Sequence, residues 1–430
     1  MMKRKVLIGV TAVYVLYCMY FYSTESLAKS EWTCQGASDR STVCEFTHFC
    51  ISRAHGPFIH TDATPPSINM INTGSGEDMW FTPQVLSKRR VRYIDDTLMV
   101  YGLYSPFHFS HYVYNGLLPL YSTLREHNIT HAHWLLRTTT YWSKHTPVDM
   151  HVFPGAQDIV LEDNAAPLVP LCFTKAIVGT GNRCSLWYCE QDIPYTHLES
   201  FKHDLSALPV NEDDACIRNT QRYGNGTSLT IGILNRHHSR HITNMPELIQ
   251  ALLGHFADVS IHLLNFDDGC DLRSTAHLVE TFDVFIAPFG NALGAGLFMK
   301  PNAIVVSIDA RWYSESWFYW PLTAVGIRLY HFQCNRASCQ EYQPGLVRSL
   351  APSYSYDDVV KVMTLENPEN VDWHVVEMYR KDVNRRVDIE QFIPWLDSIV
   401  NTTQYHCNDM CQPALERHQS HHLYDSVVMT

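Results

Sequence analysis

Apolar and polar positions divide this chain into an irregular first half and a regular second half. From Leu229 onward, short apolar runs alternate with segments of helical period. LTIGIL (Leu229–Leu234), VSIHLL (Val259–Leu264), VFIAPF (Val284–Phe289) and AIVVSI (Ala303–Ile308) read as strands buried on both faces. Between them, NMPELIQALLGHF sets Leu248, Leu252 and Phe256 on one helix face, with Asn244 and Glu247 at capping-box spacing. LRSTAHLVETF (Leu272–Phe282) reads as a second helix, and a third is expected to open at about Asn291. Apolar strands separated by helices predict a parallel sheet covered on both faces. Such a sheet binds ligands at the carboxyl ends of its strands, beside helix N-termini.

The first half is less periodic. TLMVYGLY (Thr97–Tyr104) and AIVG (Ala176–Gly179) look like strands, and FSHYVYNGLLPLYSTLREH (Phe109–His127) like a helix. The polar, turn-rich stretch Asn211–Ser228 reads as a linker. Val371–Val400 reads as helical, broken near Pro394, and is expected to return to the N-terminal domain.

The N-terminus changes the setting. Lys3, Arg4 and Lys5 precede an uncharged stretch, Val6–Tyr22, whose seventeen residues nearly span a bilayer core. A cleaved signal peptide is the rival, but no small-x-small site closes the segment. Basic residues ahead of the span favour a cytoplasmic N-terminus and a lumenal body. Beyond this segment stand twelve of the thirteen cysteines, and disulfides are their natural reading in an oxidising compartment. Zinc is the alternative, though no C-x-x-C pair occurs. Asn128, Asn225 and Asn401 head N-x-T glycosylation sequons.

The expected organisation is therefore a cytoplasmic tail (1–5), a transmembrane anchor (6–22), a stem (23–40), an N-terminal acceptor-side α/β domain (41–220), a C-terminal nucleotide-binding α/β domain (225–385), a returning helix (386–405) and a tail (406–430). At 430 residues and 46% hydrophobic, the chain is long enough for two cores. A formal charge of -12 excludes an extended nucleic-acid interface but not a site for one nucleotide.

Two stretches carry candidate chemistry. Gly290, Gly294 and Gly296 lie between two buried strands, either for tight helix packing or for close approach of a phosphate to the backbone. Arg236 and Arg240 follow the first regular strand, flanked by His237, His238 and His241. They are either a solvated basic loop or, beside a helix opening at Asn291–Leu293, a diphosphate clamp. The chain has no Asp-x-Asp pair to hold a divalent ion, no G-x-S-x-G elbow, and no P-loop ending at Gly179–Cys184. His131, His133, His418, His421 and His422 match no recognised ligand spacing, so no metal is expected.

Five segments then fall into a familiar order. CEFTHFC (Cys44–Cys50), HYVYNGLLPLYSTL (His111–Leu124), CFTKAIVG (Cys172–Gly179), NRHHSRHITN and DVFIAPFGNALGAGLFMKPNAIVV resemble the motifs of glycosyltransferase family 61. That family includes plant β-1,2-xylosyltransferases and animal enzymes that add N-acetylglucosamine to proteins. The resemblance runs from about Cys44 to Ile399, and LPLYSTLREH and SLWYCEQD are similar to the branch of the protein O-mannose β-1,4-N-acetylglucosaminyltransferase.

The resemblance implies a GT-B-like fold of two Rossmann-like domains facing a cleft. It also implies a UDP-sugar donor, inversion at the anomeric carbon and a glycoprotein or glycan acceptor, in the Golgi or endoplasmic reticulum. The donor diphosphate would be held by Arg236 and Arg240, with Phe289, Gly290, Asn291, Ala292 and Leu293 around it and no metal. His111 would be the base, an acceptor contact, or a helix histidine engaged in packing.

Two departures stand out. Phe289 replaces the signature histidine, and Asn115 replaces the aspartate of the helix motif; Asn291 also replaces an alanine. They raise an alternative: a catalytically inactive relative that binds glycans or sugar nucleotides.

Overall fold

The computed structural model describes residues 25–36, 41–70, 80–87, 90–103, 108–138, 159–161, 170–179, 197–341 apart from 238, 268, 311–312, 314–316 and 335, then 355, 357 and 381–402. The expected anchor at 6–22 lies outside these residues. Among the described residues no helix is long and apolar enough to cross a membrane. The chain falls into two compact units, one ending near residue 185 and the other running from Glu199.

The first unit is built on a nine-stranded mixed sheet. Its strands are β1 (Glu25–Ser26), β2 (Trp32–Gln35), β3 (Val43–Ser52), β4 (Gly56–Ile59), β7 (Gln84–Val85), β8 (Arg90–Leu103), β9 (His133–Thr138), β10 (Ile159–Leu161) and β11 (Leu171–Val178), with β5 (Ile68–Asn69) and β6 (Trp80–Phe81) forming a separate pair. The long path runs β10-β9-β8-β11-β3-β4-β7. β8, β9, β10 and β11 are mutually parallel, whereas β3 pairs antiparallel with β11, β2 and β4. Only part of this unit is therefore Rossmann-like; the antiparallel strands depart from the expected doubly wound pattern. Disulfides Cys34–Cys44 and Cys50–Cys172 join directly opposed residues of β2–β3 and β3–β11.

The crossover from β8 to β9 is one continuous helical rod: α1 (Phe109–Tyr112), a π-helical turn (Val113–Leu117) and α2 (Leu118–Glu126). The π turn has an identifiable cause. In an α-helix, the ring of Pro119 would clash with the carbonyl of Asn115, four residues back, and supply no N–H to it. Widening the turn relieves that conflict. Gly116 lets the wide turn approach the sheet: a Cβ there would stand 2.4 Å from Leu103 Cδ2.

The second unit carries the regular pattern. α3 (Leu198–Ser206), α4 (Ala215–Arg218) and β12 (Gln221–Tyr223) lead into β13 (Leu229–Leu234), α5 (Met245–His255), β14 (Val259–Leu264), α6 (Leu272–Val279) and β15 (Val284–Pro288). A 3-10 helix (Asn291–Phe298), β16 (Ile304–Asp309), α7 (Tyr319–Thr323) and β17 (Arg328–Gln333) follow. Further on, β18 (Gln340–Glu341) pairs with β19 (Asn384–Arg385), and α8 (Ile389–Val400) is the last described helix. The sheet order is β12-β14-β13-β15-β16-β17, parallel apart from the antiparallel edge strand β12. From β13 the chain winds first to β14, then back past β13 to β15, so the winding direction reverses between β13 and β15.

Several expectations are corrected. Asn211–Ser228 is not a linker: it forms α4 and β12 within the second unit, and a Cys216–Cys270 disulfide ties it beside α6. Of the helix expected over Val371–Val400, residues 371–380 lie outside the described residues, and the remainder is not one helix broken at Pro394. Asn384–Arg385 is a strand, and α8 runs through Pro394 with Asp388 capping its N-terminus. Nor does α8 leave its own unit. Its buried face, Phe392, Leu396 and Ile399, packs in one core with Leu248 and Leu252 of α5 and Phe332 of β17. The helix expected at Asn291 is 3-10 rather than α, and Asn244 spends its amide on Val387, both donating and accepting at 2.9 Å, instead of capping α5.

Candidate functional site

At the carboxyl edge where the winding reverses, two turns meet. The first follows β13. Asn235 Oδ1 accepts from the N–H groups of Arg236 (3.0 Å) and Ile242 (3.1 Å), closing residues 236–242 into a loop. His241 Nδ1 donates to the Arg236 carbonyl at 2.7 Å, which tightens it. The second turn follows β15, which pairs directly with β13 through Ile231 and Val284.

Gly290 is the hinge of the second turn. Its φ of +155° is closed to side-chain-bearing residues. A Cβ there would lie 2.6 Å from Arg240 Nη1 and 3.7 Å from Arg236 Nη1, so both guanidiniums converge on this glycine. Gly296, by contrast, is a packing glycine: its Cβ would meet Val305 Cγ2 at 2.5 Å. Gly296 thus answers to helix packing, and Gly290 to the close approach of the two guanidiniums.

The arginines differ in how they are held. Arg240 Nε and Nη2 both reach Asp382 Oδ1 at 2.8 Å, and Nη1 donates to the Phe289 carbonyl at 3.0 Å. Arg236 is looser, its Nε 3.7 Å from Asp267 Oδ1. Burial, and then the charge of Arg240, hold its pKa below the usual guanidinium value. A third guanidinium, Arg385, stands fully buried behind them and donates to the carbonyls of Val383 (2.9 Å) and Lys381 (3.0 Å). Burial and then the neighbouring Arg240 push its pKa down to about 9. At the end of β16, His331 Nδ1 donates to buried Asp309 at 2.8 Å, and the Ser307 hydroxyl donates to the same carboxylate.

Sequence reasoning brought Arg236, Arg240 and Gly290 to one place and missed Asn235, Asp382, Arg385 and Asp309. Asp382 and Arg385 come from a segment some 140 residues away. That segment is stitched to the β13 loop by hydrogen bonds from Arg385 N to His241 O and from Thr243 N to Arg385 O, each 2.8 Å. No local pattern marks such residues; the sole sequence hint is an aspartate and an arginine ahead of an amphipathic helix.

The remaining candidates lie as follows. The Phe289 side chain is buried among Tyr313, Trp317 and Phe318, with ring centroids 5.5, 5.7 and 6.4 Å away, so only its carbonyl faces the arginines. Asn291 and Ala292 are half-buried at the start of the 3-10 helix, and buried Leu293 donates its N–H to the Gly290 carbonyl. Backbone N–H groups in the first turn of a helix lack partners within it and carry a positive dipole end.

In the first unit, His111 is buried on α1, and its Nδ1 donates to Asn115 Oδ1 at 3.3 Å. Asn115 lies inside the π turn. The amide thus orients the ring as an aspartate would, without adding negative charge. Asn128, Asn225 and Asn401 are all exposed. Among the described residues, two groups of cysteines and aspartates have ligand-like spacing, Asp214–Cys216–Cys270 and Cys334–Cys339–Asp388, but their sulfurs are joined in disulfides.

Residues 107–306 match the model of the family described as glycosyltransferase 61. The matched span includes His111, both arginines and the Gly290 turn, and it supports membership of that family. No curated protein matches the chain.

Proposed function

We propose that this chain is a family 61 glycosyltransferase that moves a sugar, N-acetylglucosamine or xylose, from a UDP-sugar to a hydroxyl of a glycoprotein or glycan, with inversion. The observation that carries the reading is the convergence of Arg236 and Arg240 on Gly290 at the switch point of a parallel sheet. Guanidiniums beside a helix start form a recurrent diphosphate environment, and a close-packed glycine turn lets the backbone share the load.

In the reaction, the acceptor oxygen forms a bond to the anomeric carbon as the bond from that carbon to the UDP oxygen breaks. The leaving diphosphate takes the electron pair, and the positive field of the arginines and the helix start stabilises it. His111 takes the acceptor proton on Nε2, held in the required tautomer by Asn115. Two arginines at the site and the absence of an Asp-x-Asp pair support charge neutralisation without a divalent ion. The basic N-terminus and the uncharged stretch 6–22 support a single-pass type II anchor in the Golgi or endoplasmic reticulum, with the sequons in the lumen.

A second reading rests on Asn115. Asparagine at that position cannot supply the charge that makes a histidine a strong base, which favours a relative that binds donor or glycan without turnover. The test is incubation of the detergent-solubilised full chain with a panel of UDP-sugars and glycopeptide acceptors. Transfer, or slow release of UDP, supports the enzyme. Binding of UDP or of a glycopeptide with no turnover across the panel supports the second reading, and binding of neither defeats both.

A further inference from the structure

We infer that Asp382 is a positioning residue of the donor site, acting through Arg240 rather than on the donor; the inference rests on the donor-site reading above. Arg240 is the less available of the two guanidiniums. Its side chain keeps 13% of its exposure against 27% for Arg236, and three of its nitrogen contacts go to Asp382 and the Phe289 carbonyl. Its backbone sits at φ +60°, a left-handed conformation that side-chain-bearing residues adopt at a cost. Asp382 also holds that backbone, its carbonyl accepting from Arg240 N at 3.4 Å. One residue thus fixes both ends of Arg240, and Arg240 fixes the Phe289–Gly290 peptide against which the donor would lie.

The sign of the charge makes this informative. A carboxylate beside a diphosphate site repels the ligand. If Arg240 served the donor only as a positive charge, Asp382 would oppose it, and removing the carboxylate would tighten binding. If Arg240 serves as a strut, removing the carboxylate releases the turn and loosens binding. The two arrangements predict opposite signs for one substitution.

The experiment is isothermal titration of the full chain with UDP, alongside melting curves. Asp382→Asn keeps size and an acceptor oxygen while removing the charge. We expect its Kd for UDP to rise about tenfold, the scale of weakening one charge-assisted contact. Asp382→Asn should add little to Arg240→Ala, because both remove the same strut. Asp382→Glu should recover part of the loss. In turnover, KM for the UDP-sugar should rise more than kcat falls. Unchanged or tighter UDP binding by folded Asp382→Asn overturns the inference.

Should Asp382→Asn not fold, Arg240→Lys carries the test, since lysine keeps the charge and loses the fork. The same tenfold loss is then expected, and wild-type affinity overturns the inference. Arg236→Ala separates the two levels of argument. If wild type does not bind UDP, or Arg236→Ala binds it normally, the donor-site reading falls and the inference with it. Loss in Arg236→Ala without loss in Asp382→Asn overturns the inference alone.

Discussion

Replacing Gly290 by alanine adds one methyl group at the point where both arginines converge. The new Cβ would lie 2.6 Å from Arg240 Nη1, well inside contact distance, so the guanidinium must move. Moving it breaks the 3.0 Å bond to the Phe289 carbonyl, and a hydrogen bond from a charged donor contributes about 1.5–3 kcal/mol. The backbone adds a second cost, since φ +155° strains any side-chain-bearing residue by about 1–3 kcal/mol. The sum is about 2.5–6 kcal/mol, which at about 2–4 °C per kcal/mol for a domain of this size lowers Tm by roughly 5–24 °C. UDP affinity of the folded variant should fall at least tenfold, because the clamp is displaced.

Scanning calorimetry and UDP titration read the two effects separately. Gly296→Ala is the control: it crowds Val305 and Leu322, costs about 1–3 kcal/mol as overpacking, and should leave UDP affinity unchanged. Wild-type Tm and wild-type UDP affinity in Gly290→Ala would refute the reasoning. So would a folded Gly296→Ala that no longer binds UDP.

Three further outcomes are expected. Phe392→Ala should destabilise the second unit by about 3–5 kcal/mol in urea unfolding, because its ring is fully buried under α5 and β17; a loss under about 1 kcal/mol would mean α8 is an appendage. Transfer activity should survive EDTA, and full loss restored by manganese would defeat the metal-independent mechanism. His262 is held below the ordinary imidazole value by burial first and the charge of Arg222 second. The unfolded chain therefore takes up this proton at higher pH than the folded one, so stability is intact above pH about 6.5 and falls on acidification below it. Melting between pH 8 and 5 should show this fall, and His262→Gln should flatten it; an equally steep fall in the variant counts against the assignment.

The second unit was legible because its strands are buried on both faces, which writes them as unbroken apolar runs such as Leu229–Leu234 and Val259–Leu264. The arginine loop and glycine turn were legible because both flank such strands. Asp382 and Arg385 were not, since their partners Arg240 and Thr243 are each 142 residues distant and nothing local requires an acid or a base there. Asn244 misled for a related reason: its amide had the capping spacing but a better partner in the Val387 backbone. The first unit mixes parallel and antiparallel neighbours around β11, and pairing direction leaves no trace in the residue pattern of one strand.

The stitching of residues 381–387 to the β13 loop also dictates an order of assembly. A chain leaving the ribosome completes β13 to β17 some fifty residues before Asp382 emerges. Contacts of long sequence separation form late because the intervening loop must first be closed. The sheet can therefore collapse while Arg240 has neither its counter-ion nor its left-handed turn secured. On the donor site proposed above, recognition would be a property acquired at the end of folding, and a growing chain arrested before residue 381 should carry the framework of the site without affinity for UDP.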